Sequence, residues 1–239
     1  MARSTDPTHM ARGPRTGRIS TVLGSELDYT QIDAMGHQTM VGEAMPWEDL
    51  RIEPVTRTTG INAPVFEMWI QDAGGTSRGV YLYSFADVVV AAEKVVFFTM
   101  QLPHTWAQNS IYLHVHWIGT PEDVTNSPAA PLWGLEYTWA NIGSVYPATQ
   151  VVYTDVGVNY TESGSDATVT LFKHYISKFS AIAPSASENG VSSVLIGRLW
   201  RFSSSASDTY NQAGNKCGLL YIDAHYQMNS LGSNEEYAK

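Results

Sequence analysis

The sequence predicts an all-β protein, a jelly-roll-like β-sandwich preceded by an extended N-terminal arm. Only 15% of the 239 residues are charged, against about 25% in an ordinary soluble domain, and β-branched and aromatic residues, which favour strands, are abundant. Strand-like runs follow one another between turn signals. This combination favours one two-sheet domain over architectures that alternate strands with helices.

The first 23 residues are predicted to form a basic, flexible arm. They contain Arg12, Arg15 and Arg18 among Pro, Gly, Ser and Thr, whereas the whole chain has a net charge of -9. Such asymmetry is typical of an interaction tail, so these three arginines are the candidate contacts to an acidic partner surface. Two alternatives stay open: the segment is disordered, or Met10 is the native start.

Residues 24–60 are predicted to be an extended lead-in with short strands, and residues 61–239 to be the sandwich. Nine runs in the second segment have strand-like composition: 65–70, 80–85, 95–102, 111–118, 132–139, 151–158, 167–172, 194–202 and 219–228. One stretch, residues 173–182, is predicted to be helical.

The side chains around Val115 alternate with the period of a half-buried strand. Leu113, Val115 and Trp117 share one face, which is predicted to lie in the core. His114 and His116 share the opposite, polar face.

The last long run has the same pattern. Leu220, Ile222 and Ala224 are predicted on its core face, and Asp223 and His225 on its polar face. Polar faces this rich in Tyr, Trp and His resemble interface cores, where aromatic residues are enriched. We therefore expect the chain to form a homo-oligomer.

His114 and His116 are the candidate metal ligands, since two imidazoles on one side of a strand are about 6 to 7 Å apart, a spacing that suits one ion. The pair is also similar to the cupin motif, in which Glu122 with His174 or His225 would complete the ligand set, but the glycines that frame that motif are missing. Two further interpretations stay open: an ion on the axis of a homotrimer, and imidazoles that only hydrogen-bond their neighbours. The last one is favoured, so no cofactor is predicted.

Other chemistry is disfavoured by the motifs and the charge of the sequence. It contains no Gly-x-Ser-x-Gly elbow and no glycine-rich phosphate loop, so the chain is predicted not to be an enzyme. The acidic balance outside the arm disfavours nucleic acid as a partner. A membrane is disfavoured too, because no apolar stretch reaches the roughly 18 residues of a membrane span. The single cysteine, Cys217, is predicted to be buried and unreactive.

Five short segments occur in a characteristic order: QLPHTW at 101–106, LHVHW at 113–117, WGLEYTWANIG at 133–143, YIDAHY at 221–226 and LGSNEEY at 231–237. Together they resemble a family of virion structural proteins of tailed bacteriophages, and the resemblance covers about residues 95–239. It implies a non-enzymatic capsid decoration (cement), head-fibre or tail-associated protein. It also implies a homotrimer that binds the major capsid protein or other virion proteins. The expected location is the virion, after synthesis in the host bacterial cytoplasm.

Two other functions stay open. A tail-associated receptor- or carbohydrate-binding module would use exposed aromatic rings as sugar platforms, with Trp47, Trp106 and Trp139 as candidates. A cupin-like metal-dependent enzyme would use the pair His114 and His116.

Overall fold

The structure is a computed structural model that describes most of the chain. The described residues are 28–32, 37–56, 63–75, 78–86, 93–185 and 190–233, together with the backbone of 11–12 and 17–19. The strands are β1 (Ala11–Arg12), β2 (Gly17–Ile19), β3 (Tyr29–Ile32), β4 (Gln38–Val41), β5 (Trp47–Ile52), β6 (Val65–Gln71), β7 (Gly79–Ala86), β8 (Val95–Gln101), β9 (Tyr112–Thr120), β10 (Trp133–Ala140), β11 (Gln150–Tyr153), β12 (Asn159–Thr161), β13 (Gly164–Asp166), β14 (His174–Lys178), β15 (Val194–Arg201) and β16 (Lys216–Gln227). A short 3-10 turn occupies Gly42–Ala44. No helix within the described ranges is long and apolar enough to cross a membrane.

Eight of the strands form a jelly roll. The smaller sheet has the order β11–β10–β15–β8, and the larger sheet contains β14–β9–β16–β7 as neighbours. Along the chain, each connection from one of these eight strands to the next changes sheet, except the hairpin from β10 to β11. This alternation is the topology of a jelly roll, and it confirms the predicted fold class.

The core lies between the two sheets and is built from large side chains of both. Leu113, Val115 and Trp117 of β9 are fully buried, as their alternation predicts. They belong to one cluster with Trp133 of β10 and Phe85 of β7, whose rings meet edge to face at 5.1 Å. The alternate side chains of β9, which include both histidines, therefore project from the outward face of the larger sheet.

A β-bulge in β16 moves one predicted core residue. The pairing of β16 with β9 shifts register between Leu219 and Tyr221, and the intervening Leu220 is only partly buried. Leu219 faces the core before the bulge, whereas Ile222 and Ala224 face it afterwards. The prediction that Leu220 lies in the core is wrong, because the extra residue inverts the alternation at this point.

Cys217 lies in the first half of β16 and is fully buried. Burial raises the pKa of its thiol to about 12. The thiol is therefore protonated at neutral pH, in agreement with the prediction that it is buried and unreactive.

The helix predicted at residues 173–182 is wrong, since the segment forms β14, which pairs with β9. Tyr175 and Ser177 are buried, whereas the residues between and beside them are more exposed. This period of two is that of a strand. Ser177 also accepts a hydrogen bond from the indole N–H of Trp117 at 3.0 Å, a buried contact that holds β14 against the core.

The strand predicted at residues 167–172 is also not formed. Val169 makes an isolated bridge to Asp123, and Leu171 makes another to Gly119. The positive φ of Phe172 then interrupts the extended backbone. Of the large apolar side chains of this segment, Val169 is fully buried and belongs to the core cluster, whereas Leu171 and Phe172 are exposed.

The arm and the lead-in together supply a small sheet, and the lead-in also supplies one strand of the sandwich. β1 to β4 form a four-stranded sheet in chain order, whereas β5 pairs with the second half of β16. Within the predicted arm, the backbone of Arg12 lies in β1 and that of Arg18 lies in β2, where it pairs with Gln31 of β3. Arg15 lies outside the described residues.

A buried ion pair lies at one end of the sandwich. Arg201 donates two hydrogen bonds to the carboxylate of Asp208, from Nε at 2.9 Å and from Nη2 at 3.0 Å, and both side chains are almost completely buried. The guanidinium also donates to the backbone carbonyls of Phe85, Tyr210 and Asn215. The pair thus ties β15 to β7 and to the loop that precedes β16.

Candidate functional site

The outward face of the larger sheet carries two histidines and an aspartate in contact. His114 and His116 project from β9, and Asp223 of β16 lies directly opposite His114 in the register. His114 Nδ1 lies 3.2 Å from Asp223 Oδ1, and His116 Nε2 lies 3.1 Å from Asp223 Oδ2. One nitrogen or oxygen atom from each residue lies within 4.8 Å of the other two. We name these three residues the His–Asp cluster.

The carboxylate of Asp223 is buried and ionised. Its side chain is only 8% exposed, and burial by itself raises the pKa of a carboxyl group. The adjacent imidazoles of His114 and His116 outweigh this effect and lower the pKa of Asp223 to about 2. Oδ2 shares a hydrogen bond with His116, whereas Oδ1 is within ion-pair distance of His114 without the geometry of a hydrogen bond.

His116 is held by two further side chains. Its Nδ1 lies 2.8 Å from Nε2 of His174 on β14, and its ring stacks on Tyr221 at a centroid distance of 4.1 Å. Burial, together with the nearby His116, lowers the pKa of His174, so His174 is neutral at pH 7. The two contacts fix the orientation of the His116 ring and keep its Nε2 directed at Asp223.

Aromatic side chains lie next to the cluster on the same face. Trp47 of β5 stacks on His225 at 4.6 Å with an interplanar angle of 4°, and it meets Tyr112 edge to face at 5.7 Å. His225 Nδ1 is 2.6 Å from Asp49 Oδ1, and the His225 ring stacks on His114 at 5.7 Å. We name Trp47, Tyr112 and His225 the aromatic platform, which is continuous with the His–Asp cluster.

The structure places His174 and His225 beside the predicted histidine pair but leaves Glu122 apart. Glu122 is exposed in the segment after β9 and is not part of the cluster, so the cupin-like ligand set with Glu122 is not formed. The acid that meets the pair is Asp223, which the sequence placed on a polar face without a role. Only the register of β16 against β9 reveals its contact with both imidazoles.

Two of the three tryptophans predicted as sugar platforms are core residues. Trp106 is fully buried and Trp139 is 3% exposed, and their rings are in contact at 5.4 Å. The indole N–H of Trp139 donates to Ser193 Oγ at 2.9 Å. A groove beside Trp139 measures about 210 Å³, below the roughly 300 Å³ at which ligand pockets begin. Trp47, which is 45% exposed, is the candidate of the three that a ligand can reach.

One edge of the larger sheet, formed by β6 and β7, exposes large apolar side chains on both of its faces. Each of them is between 36% and 59% exposed: Val65, Phe66, Met68, Ile70, Val80 and Tyr81. Tyr81, Tyr83 and Phe85 alternate along β7 and so point to one face, yet Phe85 is fully buried while Tyr81 is exposed. The core-facing side of the larger sheet therefore extends beyond the area that the smaller sheet covers. We name the six exposed residues of β6 and β7 the apolar edge.

No protein-family model matches the chain, and no curated protein matches it. Among solved structures, the chain is similar to one that concerns the promiscuous specificity of carbohydrate-binding modules from the β-sandwich superfamily. The similarity covers 84% of this chain and 71% of that chain, with 8% sequence identity and a TM-score of 0.25. A TM-score this low carries no argument about function, and the fold assignment stands on the strand order.

Proposed function

We propose that the chain is a non-enzymatic structural protein of a tailed-bacteriophage virion, which forms a homotrimer and decorates the capsid or a head fibre. Two features support the proposal. Five sequence segments resemble this class of virion proteins over about residues 95–239, and the jelly roll is an architecture that viral capsid proteins use. The partner in this proposal is the major capsid protein or another virion protein.

The observation that carries the proposal is the apolar edge. Its six side chains are exposed on both faces of the β6–β7 hairpin, and β6 is the last strand of its sheet within the described part of the chain. Soluble proteins rarely leave a long apolar edge uncovered, because such an edge pairs with other chains. A closed ring of copies covers one edge per subunit and leaves none free. A ring of three also matches the threefold symmetry positions of a capsid lattice.

The arm supplies the attachment in this proposal. Arg12, Arg15 and Arg18 place positive charge at one end of a chain whose net charge is -9. Attraction between such a segment and an acidic capsid surface is screened by salt. The pairing of β2 with β3 joins the arm to the lead-in. An arm bound to the capsid would therefore also hold the lead-in at the capsid surface.

Light scattering on the purified protein tests the proposal. We expect the wild type to have a mass of three times 26.3 kDa. The double change Phe66→Glu, Ile70→Glu should reduce the mass to that of one chain, because burying an unpaired carboxylate costs several kcal/mol.

Val124→Glu is the matched control. This apolar residue is at least as exposed as those of the apolar edge but lies in the loop after β9, so the variant should keep the wild-type mass. A monomeric wild type would overturn the trimer and the decoration role that depends on it. A trimeric Phe66→Glu, Ile70→Glu protein would show that the copies meet elsewhere.

The aromatic platform favours a second function, that of a tail-associated receptor- or carbohydrate-binding module. One face of the Trp47 indole is covered by His225, and nearly half of the side chain is still accessible. A flat, exposed indole offers a stacking surface for the apolar face of a sugar ring. Asp49 and Tyr112 at its border offer polar groups that orient a ligand.

Binding to an array of immobilised glycans tests this second function. We expect the wild type to bind and Trp47→Ala to bind about tenfold more weakly or worse, which corresponds to a stacking contact of about 1.4 kcal/mol. Tyr81→Ala is the matched control, since Tyr81 is an equally exposed aromatic residue outside the platform. Absence of binding by the wild type would exclude the sugar-binding function.

A further inference from the structure

One carboxylate oxygen of Asp223 has no hydrogen-bond donor within the His–Asp cluster. Although the side chain is buried, Oδ1 receives no hydrogen bond from the described residues. Arg51 of β5 lies opposite Asp223 in the register, but its guanidinium pairs with Glu53 at 2.8 Å and lies over the ring of Tyr221. The carboxylate therefore presents an oxygen beside His114 that accepts no hydrogen bond and is available to coordinate a cation.

We propose that the His–Asp cluster binds one divalent transition-metal ion per chain, of the Zn²⁺ class. The ligand atoms are His114 Nδ1, His116 Nε2 and one carboxylate oxygen of Asp223, which already lie within 4.8 Å of one another. Two ligands of a tetrahedral ion, each about 2.1 Å from it, are about 3.4 Å apart. Each imidazole nitrogen is 3.1 or 3.2 Å from the carboxylate, so small side-chain rotations suffice to accept the ion.

The residues behind the ligands orient them as a metal site requires. Metal-binding histidines usually have a hydrogen-bond partner on the ring nitrogen that does not bind the ion. His174 Nε2 occupies that position, 2.8 Å from His116 Nδ1, and Tyr221 stacks on the same ring. The His114 side chain is 15% exposed, which gives an ion a path from solvent.

The donor set determines the class of metal. Two imidazoles and one carboxylate suit Zn²⁺, Co²⁺ and Ni²⁺, whereas Ca²⁺ requires six to eight oxygen ligands. All three ligands come from one chain, which gives one ion per chain rather than one ion on a threefold axis. Three protein ligands also leave a coordination position open to water or to a donor group of a binding partner. The inference does not depend on the trimer or on the virion role.

Calorimetric titration of Zn²⁺ into chelator-treated, full-length protein tests the site. We expect one Zn²⁺ per chain and no measurable binding of Ca²⁺. Asp223→Asn keeps the shape of the side chain but removes its charge, and His114→Ala removes a ligand, so each should weaken Zn²⁺ binding by tenfold or more, roughly the range for lost metal-site interactions. His104→Gln is the matched control, because this histidine contacts Ser192 and Ser233 away from the cluster and its change should leave the affinity unaltered.

Two further measurements separate metal binding from folding. Circular dichroism establishes that each variant is folded, and visible absorption of the wild type with Co²⁺ reports on the ligand set without any variant. The proposal is overturned if the wild type binds no Zn²⁺, if it gives no Co²⁺ absorption band, or if it binds one ion per three chains. Unchanged affinity in folded Asp223→Asn and His114→Ala would overturn it as well.

Discussion

Asp208→Ala is expected to lower the free energy of unfolding by about 3–5 kcal/mol. The change leaves the guanidinium of Arg201 buried at the end of the sandwich without its carboxylate, from which it is separated by 2.9 and 3.0 Å in the intact protein. The carbonyls of Phe85, Tyr210 and Asn215 still accept its hydrogen bonds, but they carry no charge that would compensate it. The backbone N–H of Leu132, which donates to Asp208, also loses its acceptor.

Urea titration followed by circular dichroism measures this effect. Glu53→Ala is the control, because Glu53 forms an ion pair with Arg51 in which both side chains are more than half exposed. An exposed pair is worth about 1 kcal/mol or less, so the control should unfold close to the wild-type midpoint. Equal losses in the two variants would mean that water reaches the Arg201 site.

Trp117→Ala is expected to lower the free energy of unfolding by a similar amount, about 3–5 kcal/mol. Trp117 is fully buried at the centre of β9, and its ring contacts those of Tyr175 and Tyr210. Removing the indole leaves a cavity among residues of both sheets and deprives Ser177 of its hydrogen-bond donor. The close-packed core cannot collapse fully into that space.

His116→Ala is the comparison for Trp117→Ala, because the two residues are adjacent on β9 and face opposite sides of the sheet. It should cost less, about 1–3 kcal/mol, the range for leaving a buried hydrogen-bond partner unsatisfied, here the carboxylate of Asp223. Thermal unfolding of both variants at one pH checks the order. A His116→Ala protein that melts at or below the temperature of Trp117→Ala would mean that the outward face contributes as much to stability as the core.

The sequence predicted the faces of β9 correctly because strand alternation is a local property. Leu113, Val115 and Trp117 are buried, and the histidines between them project outward, as period-two patterning requires. The predicted fold class followed from low charge, which is a property of composition, and from short strand runs between turn signals, which are local patterns.

Long-range pairing is what the sequence did not predict. Whether Asp223 meets His114 depends on the register of β16 against β9, and a shift of one residue would turn Asp223 to the other face. The bulge at Leu220 is one such shift, since it inverts the alternation of the side chains along β16. Trp106 lies outside the predicted strands, and only the packing of the sheets shows that it is interior. Trp139, by contrast, alternates with Leu135 and Tyr137 along the predicted strand 132–139, a local pattern that favours its burial.

The central position of β16 in the larger sheet affects how the chain folds during its synthesis. Its partners β5, β7 and β9 all precede it in sequence. Until the stretch 216–227 has been translated, the larger sheet therefore lacks the strand that joins β9 and β14 to β6 and β7 and that pairs with β5. Pairing over so large a sequence separation is slow, and the apolar strands of the larger sheet are exposed until it occurs. Only a chain translated through β16 can close the larger sheet, so a copy that ends before residue 216 is expected to lack the complete sandwich.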